Sequence, residues 1–120
     1  MRRAVDRANE PRMGGAVVVG SFNCTITPTN KTEFLDAVAA LMERTRSLRG
    51  CQGCRLLADT EDPASYTFIL EWTERYDLQR FLESEHYGVL TGMRYLMRGQ
   101  PRFVVDEVSL RATIPIDARS

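Results

Sequence analysis

From Ala16 to Ile26 the residues alternate, and from Phe34 to Leu48 they recur at helical spacing. That change of period, met a second time further along, restricts the fold more than any other feature of the chain. Ala16, Val18, Gly20, Phe22, Cys24 and Ile26 share one face of an extended segment; Ser21, Asn23 and Thr25 take the other, behind Val17 and Val19. Alternation with β-branched residues predicts a strand, and Pro28 ends it. Asn30-Lys31-Thr32-Glu33 has the form of a capping box, a short polar side chain with a glutamate three residues on. Phe34, Leu35, Val38, Leu41, Met42, Thr45 and Leu48 then form one helical stripe. Arg44, Arg46 and Arg49 suit the negative end of that helix, and Gly50 stops it.

Cys51 to Asp59 reads as a second strand, Thr60-Glu61-Asp62-Pro63 as a turn, and Ser65 to Trp72 as a third strand. Tyr66, Phe68, Leu70 and Trp72 share one face of the third. Thr73 is placed to cap a short helix carrying Leu78, Phe81 and Leu82. Ser84 is placed to cap a second helical segment, with Tyr87, Leu90, Met93, Tyr95, Leu96 and Met97, which Gly99 and Pro101 end. Arg102 to Leu110 is the last strand. The order β-α-β-β-α-β predicts an α+β, ferredoxin-like domain over residues 16–110, a four-stranded antiparallel sheet with helices on one face. Residues 1–15, with Pro11 and a Gly14-Gly15 pair, are expected to be a flexible leader in which Met13 is a second place for translation to begin; residues 111–120 are expected to be a tail. The sheet face carrying Val17, Val19, Thr67 and Ile69 is left without cover. A second copy's sheet is the simplest cover, so the domain is expected to be half of a homodimeric α+β barrel.

Composition narrows the partners. A chain of 120 residues, 43% hydrophobic and 27% charged, suits one globular domain with its own core. Sixteen basic residues balance sixteen acidic ones, which gives no electrostatic reason to bind nucleic acid or an anionic membrane. No apolar run approaches the roughly 18 residues of a membrane span. The arginines at 2, 3, 7 and 12 have no apolar stretch behind them of the kind that the h-region of a secretory signal requires, so cytoplasmic residence is expected. Cys51-Gln52-Gly53-Cys54 invites a zinc or redox reading, but only Cys24 and His86 remain to complete a ligand set. The pair leaves a helix and enters a strand, whereas a redox pair opens a helix; small buried thiols are expected there, and no metal.

The stretch Gly53-Cys54-Arg55-Leu56-Leu57, through Phe68-Ile69-Leu70-Glu71-Trp72-Thr73, to Leu78 and Phe81-Leu82-Glu83-Ser84-Glu85-His86-Tyr87, resembles the antibiotic biosynthesis monooxygenase family. The resemblance lies in a Glu-Trp strand end, a helix, and a small-polar-x-His-aromatic step into the next helix. It covers roughly residues 16 to 110. It implies a cofactor-independent oxygenase, with molecular oxygen as co-substrate, acting on an aromatic, quinol or polyketide-like molecule. By the same resemblance Trp72 matches a pocket-lining tryptophan and Asn23 a pocket asparagine. Two positions depart from the pattern. The asparagine of the polyketide oxygenases four residues before the tryptophan is Phe68 here, and the helix histidine of many quinol-oxidising members is Phe81.

Such a reaction asks little of the protein beyond binding a ring, stabilising its anion and excluding water. Trp72 offers an indole N–H, Asn23 an amide, and His86, the chain's one histidine, a base suited to neutral pH. Tyr66, Tyr87 or Tyr95 offers a hydroxyl, and Phe68, Phe81, Tyr66 and Tyr87 are expected against the ring. Each has a plainer reading: Trp72 as a core or interface aromatic, His86 as an exposed residue at a helix start, Asn23 as a residue of the opposite sheet face. Two other functions stay open. One is a non-catalytic dimer that binds a small hydrophobic molecule. The other is haem binding and degradation, whose axial histidine, about ten residues after the tryptophan in such relatives, is absent at Phe81 and Leu82.

Overall fold

The alternation of the first long strand sets which side chains face the helices. The computed structural model describes residues 12–14 and 16–116. In chain order they form β1 (Arg12–Gly14), β2 (Val17–Ile26), α1 (Lys31–Arg46), β3 (Cys51–Ala58), β4 (Ser65–Trp72), α2 (Arg75–Leu82), α3 (Glu85–Gly92), β5 (Met97–Val108) and β6 (Arg111–Thr113). Single 3-10 turns precede α1 and follow α3. The main sheet runs β3-β4-β2-β5 with every neighbour antiparallel, which is the ferredoxin-like α+β arrangement expected from the element order. Among the described residues no helix is long and apolar enough to cross a membrane.

The core lies between this sheet and the helices. Val18, Phe22, Cys24 and Ile26 of β2 and Tyr66, Phe68, Leu70 and Trp72 of β4 pack under Phe34, Val38 and Leu41 of α1, Leu78 and Phe81 of α2, and Leu90 of α3. Thr45, wholly buried, satisfies its hydroxyl on the carbonyl of Leu41 at 2.8 Å. The opposite face presents Val19, Asn23, Thr67 and Ile69, together with Leu57 and Val104, both exposed. Val17, expected among the residues shown to a partner, is instead buried in the single chain, outside the main core. At that end Glu71 of β4 pairs with Arg111 of β6, so the end nearest Val17 is already partly occupied.

Several local expectations are corrected. Asn30 does stand at the start of α1, but its side chain caps nothing. Thr73 is not the cap of α2: Glu74 holds that position, while Thr73 Oγ1 donates to the Gly50 carbonyl at 3.3 Å. Gly99 and Pro101 do not precede the last strand but lie inside it, where β5 slips register against Asn23 and Thr25 of β2. A positive φ of 67° at Gly99 and an edge strand that tolerates a proline make that bulge possible. Residues 12–14, read as leader, and 111–113, read as tail, pair with each other as a two-stranded antiparallel ribbon. Residues 1–11 and 15 of the expected leader and 117–120 of the tail lie outside the described residues.

Candidate active site

Where β4 ends and α2 begins, the chain must turn from sheet to helix, and a cavity is left at that junction. It measures about 220 Å³ and is lined by Leu48 and Arg49 from the loop after α1, Trp72 from the end of β4, Asp77, Arg80 and Phe81 from α2, and Ser84, Glu85 and His86 at the start of α3. Trp72 is in the inward register of β4, beside Val18 and Cys51, and only 1% exposed. Its ring lies 5.4 Å from that of Phe81, which meets Tyr87 at 5.9 Å, which meets Phe103 at 5.6 Å. Of this aromatic row, Trp72 and Phe81 line the cavity, with Tyr87 and Phe103 packed behind them.

The polar groups are less well satisfied than the apolar ones. The Trp72 indole nitrogen is buried and donates to nothing among the described residues. A buried donor without an acceptor costs stability, which sets this nitrogen apart from the other buried polar groups of the core. Arg49 and Arg80 line the same space, and neither meets a carboxylate among the described residues. The structure thus gathers two arginines, two carboxylates (Asp77 and Glu85) and a half-buried imidazole around the apolar surface of Trp72 and Phe81, a lining able to hold a polar aromatic ring.

The residues singled out from sequence divide clearly. Trp72, Phe81 and His86 line the cavity, and Tyr87 stands behind Phe81. Asn23 does not join them: it lies on the opposite sheet face, where its Oδ1 accepts a hydrogen bond from Thr67 Oγ1 at 2.8 Å. Tyr66 is also elsewhere. It packs on Phe34 at the far end of the core and lines a separate cavity of about 200 Å³ with Ile26, Pro28, Lys31, Pro63 and Ala64. Phe68 is wholly buried between the two ends, opposite Phe22 and Leu56, and lines neither cavity. Tyr95 is exposed and donates to Glu33 Oε2 at 3.1 Å, which raises its pKa.

Three cavity residues, Arg49, Asp77 and Arg80, carry no sequence signal of a place at the site. Arg49 is accounted for in the sequence by the end of a helix, and nothing local in the sequence sets Arg80 or Asp77 apart. The cysteines are thiols suited to packing. Burial raises Cys24 to about 11 and Cys54 to about 12, and desolvation also raises Cys51 despite its contact with the Gly53 carbonyl. Among the described residues no three His, Cys, Asp or Glu side chains converge as a metal site. The positions where haem-degrading relatives place an axial histidine carry Phe81 and Leu82, neither of which can ligate iron.

Comparisons with known proteins bear on the family and the fold. The sequence pattern of the family described as antibiotic biosynthesis monooxygenase matches residues 17–90. Among curated proteins no sequence matches significantly. A conserved protein from Methanosarcina mazei Go1 superposes with a TM-score of 0.69 at 20% identity, over 76% of this chain and 90% of its own. An antibiotic biosynthesis monooxygenase crystal structure gives 0.68 at 24%, over 74% and 95%. A mutant of SnoaB, a cofactor-independent oxygenase from Streptomyces nogalater, gives 0.64 at 20%, over 75% and 90%. At these identities the structural likeness speaks for the fold.

Proposed function

Because this chain belongs to the antibiotic biosynthesis monooxygenase family, we propose that it is a cofactor-independent monooxygenase acting on a small electron-rich aromatic, a quinol or phenol. The observation that carries the reading is the unsatisfied indole N–H of Trp72 beside a cavity walled by aromatic rings. The ring enters against Trp72 and Phe81, loses a proton, and its anion reduces dioxygen. One oxygen atom is added to the ring and the other leaves as water, the electrons coming from the substrate; a hydroquinone becomes a hydroxyquinone. Trp72 and the two arginines stabilise the anion, and His86, less buried, passes the proton to solvent. Size favours the smaller end of the substrate range. A dry cavity of about 150 Å³ holds benzene, so about 220 Å³ suits one substituted ring better than a fused polyketide.

We propose further that the protein works as a homodimer joined through the exposed sheet face, where Leu57, Val104 and Ile69 offer apolar surface. A binding protein without turnover is the second reading, favoured by Phe68 and Phe81 where the oxygenases carry polar groups. Oxygen uptake with one-ring hydroquinones, naphthohydroquinones and anthrones decides between them, with product mass reporting one added oxygen. Saturable binding without oxygen uptake by any of the three classes makes the binding reading correct.

A further inference from the structure

Asp77 has no structural reason to be where it is. It is 8% exposed, lies in the first turn of α2 and lines the Trp72 cavity, yet its carboxylate accepts no hydrogen bond and meets no cation among the described residues. An acid in a first helical turn favours the helix from the surface just as well, so burial is not required for that role. The fold nevertheless makes room for it. The backbone of Gly50 adopts φ 84°, and a Cβ there would stand 2.2 Å from Asp77 Cγ and 2.3 Å from its Oδ2. The carbonyl of Gly50 is in turn held by the backbone N–H of Thr73 at 2.9 Å and by its hydroxyl. Its oxygens are not among the buried unsatisfied atoms of the described residues, so they keep contact with the space of the cavity, where a carboxylate without a cation is placed to meet a ligand.

We propose that Asp77 is the general base of this site, the group that takes the phenolic proton of a bound one-ring phenol or hydroquinone. The inference rests on the monooxygenase reading for its consequence, though not for its contact. In the step the guest's O–H bond breaks, its electron pair stays on the oxygen, and the proton bonds to a carboxylate oxygen of Asp77. Arg49 from the loop after α1, Arg80 from α2, and Glu85 and His86 from α3 are the other charged or titratable groups facing the cavity. The arginines are there to stabilise the anion left behind. Gly50 is a positioning residue, acting through the space it leaves.

The test compares the full chain with its Asp77→Asn variant, and with Asp77→Ala should the amide not fold. Two probes are used: 4-nitrophenol, whose anion alone is yellow, and a one-ring hydroquinone with oxygen uptake. Saturable quenching of Trp72 fluorescence reports occupancy by 4-nitrophenol. A negative carboxylate beside the bound phenol opposes its ionisation, so the yellow form appears about one pH unit lower in the variant than in the wild type. Hydroquinone turnover falls by about a hundredfold or more, while 4-nitrophenol occupancy stays within a few-fold. Equal colour onsets in the two bound proteins, or no saturable quenching in the wild type, overturn the proposal. Unchanged turnover in the variant overturns the base role as well. If the colour shift is present but the wild type takes up no oxygen with any hydroquinone, the contact with Asp77 stands and the monooxygenase reading fails.

Discussion

Replacing Trp72 with phenylalanine separates a packing role from a chemical one, because the structure makes the two effects unequal in a known direction. The indole is 1% exposed and tilted against Phe81 at 5.4 Å, so the smaller ring keeps most of that contact. A loss of about 40 Å² of apolar surface at about 25 cal/mol per Å² costs about 1 kcal/mol. Removing a buried N–H that has no acceptor returns about 1 kcal/mol or more. The net change in stability is therefore within about 1 kcal/mol, read as the urea midpoint at constant slope. Catalysis gains nothing from that cancellation. One lost donor to a developing anion costs on the order of 3 kcal/mol, about a hundredfold in rate. The assay is oxygen uptake with a hydroquinone, run beside chemical denaturation followed by circular dichroism, since the variant loses the chain's only tryptophan. A variant that loses several kcal/mol of stability and keeps its turnover refutes the reasoning, for it makes Trp72 a core residue alone.

Two further expectations concern the frame around the site. Gly50→Ala forces a side chain into a left-handed backbone and against the Asp77 carboxylate, and should cost about 2–3 kcal/mol in a urea melt; pairing it with Asp77→Ala should recover part of that loss, and full additivity of the two changes would deny the contact. Sedimentation of the wild type at micromolar concentration should show a dimer, and Val104→Lys with Ile69→Lys on the exposed sheet face should convert it to a monomer. A wild-type monomer removes the paired architecture, and a dimer indifferent to both lysines moves the interface elsewhere.

Much of this molecule was legible in the chain itself because strands and helices carry their period with them. The alternation through Phe22, Cys24 and Ile26, and again through Phe68, Leu70 and Trp72, identified the inward faces that the core confirms residue by residue. The same parity already set Asn23 apart from Phe22, and the structure leaves it bonded to Thr67 on the far face. Parity says nothing, however, about position along a strand. Tyr66 and Trp72 share a face, but six residues at about 3.3 Å each separate them by about 20 Å, enough to place them in different cavities. Nor could local pattern pair Arg12–Gly14 with Arg111–Thr113, or accept Gly99 and Pro101 inside a strand, since both depend on which partner runs alongside. The site itself was the least legible part. Arg49, Asp77 and Arg80 became neighbours of Trp72 only when the loop after α1 came to rest against the start of α2. Asp77 and Gly50 meet across a gap in sequence that no period bridges, because their contact is set by how two rigid elements pack and not by the residues on either side of each.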